Sequence, residues 1–235
     1  AVNVSDNPFG VAISSLACSL LLSQQGVEPI YQVVTRDRNR IAIQSDLLGA
    51  ASLGIRNLLC LSGYHQVLTD NPESANVYDI DSTQLLAMVK SMKEKGELLN
   101  GAKINGTFSM TTGAVANPFM KPMELNILRL SQKVNSGAEF IQTHAVFDVE
   151  GFALWIDAAA AEGITGKTAI LAGILPLESA DEAEELAAKY TDFNIPASVI
   201  ERLKSAGDSA AQKREGIAIC AEIVSKVRNM KGIRG

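Results

Sequence analysis

The sequence predicts an α/β fold, a (β/α)8 TIM-type barrel, on three observations. Short apolar runs alternate with longer amphipathic runs along all 235 residues, and this alternation is typical of a doubly wound sheet or a barrel. The short runs are continuously apolar, as at 58–61, which indicates parallel strands covered on both faces. Polar residues also cluster where successive runs end. Because barrel active sites are built at that edge, the clusters favour the barrel.

The first half of the chain supplies three predicted strand–helix pairs. The strands are expected at 2–4, 30–34 and 57–61, and the helices at 13–25, 38–53 and 82–95. Gly26, Gly54 and Gly96 follow these helices, as is common where a helix ends in the left-handed conformation. Ser82 is predicted to be the N-cap of the third helix.

The second half continues the same alternation. A strand is expected within 102–110, then strands at 140–143 and 168–171. The predicted helices are 121–135, with Pro122 in its first turn, 149–161, 180–190, 197–203 and 208–228. The least regular stretch, 65–81, is expected to be a loop, and loops of this length are usually functional or mobile.

Five polar clusters mark the expected strand ends: Ser5-Asp6, Thr35-Arg36-Asp37, Ser62-Gly63-Tyr64-His65, Thr111-Thr112 and Thr143-His144. Ordinary turn residues would explain any one of them, but five in succession favour a barrel site. The charged run that contains Arg36, Asp37, Arg38 and Arg40 is interpreted as intramolecular ion pairing at a helix start.

Composition excludes several classes of function. The net charge of −5 argues against nucleic acid as a partner, which requires a basic face. No apolar run approaches the roughly 20 residues of a transmembrane helix, and no basic segment of a signal peptide opens the chain.

The three cysteines lack paired spacing, which predicts a reducing, cytoplasmic compartment. Only two histidines exist, too few and too far apart for a zinc site; His65 is interpreted as an exposed loop residue. Hydrolase, P-loop and Rossmann motifs are missing.

Several blocks, in order along the chain, resemble the methylenetetrahydrofolate reductase family. They are VEPIYQVVTRDRNRIAIQSDLLGA at 27–50, LGIRNLLCLSG at 53–63, KVNSGAEFIQT at 133–143, FDVE at 147–150 and AGILP at 172–176. The resemblance implies a (β/α)8 barrel that binds FAD, with FMN as the alternative flavin, and reduces 5,10-methylenetetrahydrofolate to 5-methyltetrahydrofolate. It leaves the electron donor open between NADH, NADPH and a ferredoxin-linked partner subunit, and an oligomer is expected.

Laid on the family pattern, the beginning of the chain resembles the second strand of the barrel, and 232–235 resembles the lead-in to the eighth. We therefore expect a single domain over 1–235 that lacks the first and eighth strands and belongs to a longer polypeptide, since the missing strands would leave exposed edges. The family glutamate that protonates the pterin lies on the first strand.

The resemblance also implies flavin-binding residues. They are Ser5 and Gln32 near the ring, Ser62 and Gly63 in a turn that approaches it, and Asn117, Asn126 and Lys133 near ribose and diphosphate. Glycine permits a close backbone approach, and lysine suits a diphosphate as a point charge. Taken without the resemblance, Lys133 would be interpreted as a solvated helix lysine.

Four substrate-side positions depart from the family pattern. Tyr64 replaces a catalytic aspartate, His144 and Glu182 replace glutamines that bind substrate, and Leu186 replaces a stacking phenylalanine. A neutral phenol stabilises developing positive charge far less than a carboxylate does. Two hypotheses follow: a flavin-dependent reductase, or an altered family member that acts as a flavin- or pterin-binding or complex-forming subunit.

Overall fold

The computed structural model describes residues 1–189 and 194–235 and has an α/β architecture. Its strands are β1 (Val2–Val4), β2 (Pro29–Val34), β3 (Asn57–Leu61), β4 (Thr111–Ala116), β5 (Phe140–Ala145) and β6 (Ala169–Gly173). Hydrogen-bonded neighbours follow the chain order from β1 to β6 in one six-stranded sheet, and the pairs from β1 to β4 are parallel. The prediction of an α/β fold in which helices alternate with strands of a parallel sheet is confirmed.

Eight helices occupy the described residues. They are α1 (Ser15–Gln24), α2 (Arg40–Ser52), α3 (Ser82–Lys95), α4 (Met123–Asn135), α5 (Val149–Ala161), α6 (Ala180–Lys189), α7 (Ala197–Ser205) and α8 (Ser209–Val227). Short 3₁₀ turns occur at Gln66–Leu68 and Ile164–Gly166. The predicted last residue of the α6 segment, Tyr190, lies outside the described residues.

The strand predicted within 102–110 is wrong. That segment is irregular apart from an isolated bridge at Lys103, and the strand begins only at Thr111. Gly101 and Gly106 adopt positive φ angles of 83° and 108°, which interrupt an extended run. Because β4 starts at Thr111, the Thr111-Thr112 cluster lies at the beginning of a strand, not at its end. The polar residue that follows the end of β4 is Asn117.

Two predicted helix starts also need correction. Asp81, not Ser82, is the N-cap of α3: its carboxylate accepts from the backbone N–H of Gln84 (2.7 Å), whose side chain accepts from the Asp81 N–H (2.9 Å). This reciprocal capping box satisfies two backbone donors, whereas the hydroxyl of Ser82 would already lie inside the first turn. Pro122 precedes α4, and its carbonyl accepts the backbone N–H of Asn126.

The chain divides into two compact units, each with its own core. Unit 1 contains 1–115 and 132–140, and unit 2 contains 116–131 and 141–235. Large side chains that are fully buried in unit 1 include Tyr31 and Leu58, and in unit 2 Trp155 stacks on Phe152 with ring centroids 6.0 Å apart. The assignment of 1–235 to one domain stays a prediction.

Within unit 2, the last residues of the chain lie beside β6. Ile233 forms a parallel bridge with Ile170, and the backbone N–H of Ala172 donates to the carbonyl of Gly235 (2.8 Å). This segment is the one that resembles a lead-in to a further strand. Among the described helices, none combines the length and the apolar character that a membrane span requires.

Candidate functional site

A buried arginine organises the carboxyl edge of the sheet in unit 1. Arg36 directly follows β2 and is only 2% exposed. Its guanidinium donates to the carbonyl of Asn7 (2.7 Å), after β1, and to the carbonyl of Tyr64 (3.2 Å), after β3. Its own carbonyl accepts the backbone N–H of Val77 (2.7 Å) at the far end of the long loop. One side chain and its backbone therefore connect the loops that follow three neighbouring strands.

The charge of Arg36 is compensated by its neighbour. Asp37 accepts two hydrogen bonds from the guanidinium, at 2.7 and 2.8 Å, and a third from the amide of Gln66 at 3.0 Å. The Arg36 guanidinium holds the pKa of Asp37 below its ordinary value, so this carboxylate is ionised near neutral pH. Gln66 in turn accepts from the hydroxyl of Thr69 (3.2 Å), which extends the network into the long loop.

A second ion-pair cluster anchors the end of β1. Asp6 is buried, accepts the backbone N–H of Val34 (2.8 Å) and pairs with Arg38, which also contacts Asp46 at 2.9 Å. Burial raises the pKa of Asp6 even though Arg38 opposes the shift, and burial raises the pKa of Tyr31 to about 12.

Farther along the charged run, Arg40 pairs with Asp79 at 2.7 Å on the surface. Together with the pairs of Arg36 and Arg38, this contact confirms that the charged run forms intramolecular ion pairs.

The turn after β3 is tightly packed against β2. Gly63 has a φ of 85°, and a Cβ at this position would approach the Cβ atoms of Arg36 and Val34 at 3.2 and 3.3 Å. A side chain here would be strained by its φ angle and crowded by β2. The turn therefore presents bare backbone at the predicted flavin position. The phenol of Tyr78 donates to the Gly63 carbonyl at 3.4 Å.

Tyr64 projects from this turn onto an aromatic partner. Its ring stacks on Phe9, in the loop after β1, with centroids 5.4 Å apart and an interplanar angle of 15°. Both residues are exposed to solvent, Tyr64 at 36% and Phe9 at 44%. The structure thus pairs a predicted site residue with one that the sequence did not single out.

The other predicted flavin residues of unit 1 fall on and beside the sheet. Gln32 is half-buried on β2 and pairs in register with Leu59 of β3. Ser5 is exposed and directly follows β1, whose Val4 pairs with Tyr31, so Ser5 continues that register beside Gln32. Lys133 is half-buried, and its ammonium donates to the carbonyl of Val115 at 2.7 Å. It is therefore not a freely solvated lysine.

A cavity of about 280 Å³ lies beside these loops within unit 1. Its lining combines backbone and polar side chains of the loops after β1, β2 and β3, among them Asn7, Gly10, Arg36, Asp37 and Gln66. The cavity therefore lies where the sequence predicted a functional edge.

In unit 2, the predicted residues Asn117 and Asn126 contact each other. The Asn126 amide donates to the carbonyls of Asn117 (2.8 Å) and Met120 (3.1 Å), and its oxygen accepts the indole N–H of Trp155 (3.2 Å). Both amide hydrogens are thus donated inside the unit. Asn126 fixes the loop that follows β4, and a direct role in ligand binding stays a prediction.

The three substrate-side positions of unit 2 lie at the end of β5 and on α6. His144 is half-buried near the end of β5, and its carbonyl accepts the hydroxyl of Thr143 at 2.9 Å. Glu182 is half-buried in the first turn of α6 and accepts the backbone N–H of Glu178 at 2.6 Å. Leu186 lies one turn later, so Glu182 and Leu186 share a helix face.

Sequence reasoning missed Phe9 and the central position of Arg36. An apolar residue in a Gly- and Pro-containing loop carries no signal for stacking, and only the position of Arg36 directly after a buried strand hinted at its burial. Over residues 1–189 and 194–235, no group of three or more His, Cys, Asp or Glu side chains could hold a metal ion. The three cysteines, Cys18, Cys60 and Cys220, are free thiols.

Comparisons with known proteins agree with the block resemblance. The family model described as methylenetetrahydrofolate reductase matches residues 1–235. A probable methylenetetrahydrofolate reductase (NADPH) of Caenorhabditis elegans is 24% identical over 219 residues, which cover 91% of this chain and 30% of the relative. The 5,10-methylenetetrahydrofolate reductase of Escherichia coli is 25% identical over 184 residues, which cover 77% of this chain and 54% of the relative. The chain therefore spans about a third to a half of the length of these curated relatives.

A solved structure shares the fold. It is an uncharacterized protein from Clostridium thermocellum, described as binding two copies of 5-methyl-5,6,7,8-tetrahydrofolic acid. The TM-score is 0.62 at 15% identity, and the match covers 93% of this chain and 67% of that one. The family match over every residue, together with this fold, establishes that the chain belongs to the methylenetetrahydrofolate reductase family.

Proposed function

We propose that this chain is the barrel of a flavin-dependent oxidoreductase that reduces 5,10-methylenetetrahydrofolate to 5-methyltetrahydrofolate. The observation that carries the proposal is the family match over residues 1–235. The folate ligand described for the Clostridium thermocellum neighbour supports the substrate class. In this proposal the six-stranded sheet is part of a (β/α)8 barrel, and the protein is cytoplasmic and oligomeric.

The residues of unit 1 fit a flavin. Gly63 leaves backbone uncovered at the turn, because a Cβ there would be strained and crowded by β2. Gln32 and Ser5 offer polar side chains on neighbouring strands, and Lys133 offers a half-buried cation at the end of β4. These groups would hold the ring and the phosphates of FAD, or of FMN as the alternative.

The flavin supplies the hydride chemistry when it is bound. The chain supplies orientation: Ser62 and Gly63 approach the ring by backbone, and Asn126 holds the loop at Asn117. On the substrate side, within unit 2, His144 can donate a hydrogen bond to the pterin, and Glu182 can accept one. Electrons come from NAD(P)H or from a partner redox subunit.

A matched pair of lysines tests the flavin site. Lys133 and Lys90 both donate to backbone carbonyls within unit 1, at 2.7 and 3.2 Å. A charge-assisted contact contributes about 1.5–3 kcal/mol, so Lys133→Met should weaken FAD binding about tenfold or more. Lys90→Met should leave FAD binding unchanged. The measurement is flavin absorbance retained on purification, followed by titration of FAD into the full-length protein. Equal retention in both variants would contradict the assignment of Lys133.

The second candidate function is a flavin- or pterin-binding or complex-forming subunit without full catalysis. The four departures at Tyr64, His144, Glu182 and Leu186 favour it. Tyr64→Asp separates the two, because restoring the family carboxylate should raise the rate of methylenetetrahydrofolate reduction in an active enzyme. Inactivity of both forms despite bound flavin would favour the subunit. Colourless full-length protein that binds no folate in a calorimeter would overturn the reductase proposal.

A further inference from the structure

The loops after β1 and β3 hold an aromatic pair at the carboxyl edge of unit 1. Phe9 and Tyr64 are 55 residues apart in the sequence, yet their rings stack at 5.4 Å with 15° between the planes. Their exposed fractions are 44% and 36%. Aromatic side chains usually stabilise a protein by burial, so two aromatic residues that stay this exposed give up part of that gain.

The backbone at both rings is fixed by specific contacts. The guanidinium of Arg36 donates to the carbonyls of Tyr64 and of Asn7, two residues before Phe9. The Phe9 carbonyl accepts the backbone N–H of Asp70 (2.8 Å), and both Asp70 and Tyr64 lie in the segment 62–81 between β3 and α3. The pair is therefore preorganised rather than carried on independent loops.

The backbone of the loop after β1 is strained where it positions Phe9. Asn7 has a φ of 46°, a left-handed conformation that is uncommon for residues other than glycine. Its side-chain oxygen accepts the backbone N–H of Ala12 at 2.9 Å, which closes the loop around Phe9. The carboxylate of Asp70 occupies the place where a Cβ on Gly10 would lie. Strained backbone clusters at ligand sites, and a preorganised surface lowers the ordering cost of binding a ligand.

We propose that Phe9 and Tyr64 form a stacking subsite for the planar pyrimidine ring of the folate's pterin. This inference rests on the proposed reductase function and specifies which side chains bind the pterin of the substrate. Every planar heteroaromatic ring offers a π-face, and offset stacking on a rigid pair requires no new ordering of the protein. Gly10 and Val11, which follow Phe9 in the sequence, line the cavity of about 280 Å³.

The subsite also accounts for two departures from the family pattern. Where the resemblance implies a stacking phenylalanine, the chain has Leu186, and where it implies an aspartate, it has Tyr64. In this chain the stacking surface is supplied by the loops after β1 and β3.

Calorimetric titration of the full-length protein with folic acid and with 5-methyltetrahydrofolate tests the subsite. Stacking contributes about 0.5–1.5 kcal/mol beyond area burial, so Phe9→Leu and Tyr64→Leu should each raise Kd about two- to twelvefold. Tyr64→Phe keeps the ring and should bind within about twofold of the wild type, by the same stacking rule. Tyr64→Trp enlarges the ring and should bind at least as tightly as the wild type.

Leu68→Ala is the matched control, because Leu68 is an exposed apolar residue of the same long loop and is outside the pair. It should leave Kd unchanged, and thermal melts confirm that each variant is folded.

Wild-type Kd values in Phe9→Leu and Tyr64→Leu would overturn the subsite while the reductase proposal stands. Weaker folate binding by Tyr64→Trp than by Tyr64→Leu would also overturn the subsite, and this comparison does not depend on a variant being destabilised. A change of oligomeric state in the leucine variants would assign the pair to an interface instead. A wild-type protein that binds neither folate would overturn both proposals.

Discussion

Arg36→Met should destabilise unit 1 strongly, because the guanidinium connects the loops after β1 and β3 to the end of β2. The change removes the donors to the carbonyls of Asn7 and Tyr64 and leaves Asp37 without its cation. Methionine keeps the apolar stem of the arginine, so the packing loss is small.

The magnitude follows from the burial of the two partners. Removing one member of a buried ion pair costs about 3–5 kcal/mol. Arg36 is 2% exposed, but Asp37 is 24% exposed and regains some hydration, which points to the lower end of that range. We expect a loss of about 3 kcal/mol in the free energy of unfolding. For a chain of this length that corresponds to a fall in Tm of roughly 6–12 °C.

Arg40→Met is the control, since Arg40 also pairs with an aspartate through its guanidinium but is 49% exposed. Exposed pairs are hydrated and screened, so the control should remain close to the wild type. Urea unfolding followed by circular dichroism measures both variants. A loss for Arg36→Met that is no larger than the loss for Arg40→Met would refute the assigned role of Arg36.

The Arg36–Asp37 ion pair also makes the difference in unfolding free energy between wild type and Arg36→Met depend on pH. Arg36 lowers the pKa of Asp37 in the folded state, so its stabilising effect is present above the ordinary carboxyl pKa, near 3.9, and is lost as the pH falls through the lower folded value. The gap in unfolding free energy between wild type and Arg36→Met should therefore narrow as the pH falls from about 5 to about 3. A gap that stays constant over this range would exclude the Asp37 ion pair as its cause.

Two further predictions use other contacts. The hydrogen bonds from Arg40 hold the pKa of Asp79 at about 2, so a carboxyl NMR titration should find that midpoint in the wild type and a value near 3.9 in Arg40→Met; an unchanged midpoint would contradict the pairing. Gly216→Ala would place a Cβ against the carbonyl oxygen of Leu177, well inside van der Waals contact, and should cost about 1–3 kcal/mol. Gly49→Ala, on an open helix surface, should instead stabilise by about 0.5–1 kcal/mol. A Gly216→Ala melt at or above the wild-type Tm would contradict the close approach to Leu177, and a Gly49→Ala melt below it would contradict the open surface at Gly49.

Helices and strands that are marked by local sequence patterns were predictable from the sequence alone. The bounds of α5 at 149–161 and of β3 at 57–61 agree with the sequence prediction, because hydrophobic periodicity and flanking turn residues are local properties. The start of β4 was not predictable in the same way. Apolar residues at Phe108 and Met110 are buried in irregular backbone, and burial without regular structure imitates a strand pattern.

The candidate site was likewise predictable only where the signal is local in the sequence. Residue order placed Ser62, Gly63 and Tyr64 in a turn after β3, and their role in a flavin or substrate site stays a prediction from the family resemblance. The sequence did not distinguish Arg36 from Arg40, which are four residues apart in one charged run, although the structure buries the first and exposes the second.

By itself, therefore, the sequence determined the α/β alternation and the family. Tertiary structure alone decided that Arg36 is buried beneath three loops, that Asn126 donates both amide hydrogens internally, and that Phe9 stacks on Tyr64. The physical reason is distance along the chain. Periodicity and capping act within a few residues, whereas the contacts of Arg36 and Phe9 join segments 28 to 55 residues apart, which meet only when the strands pair.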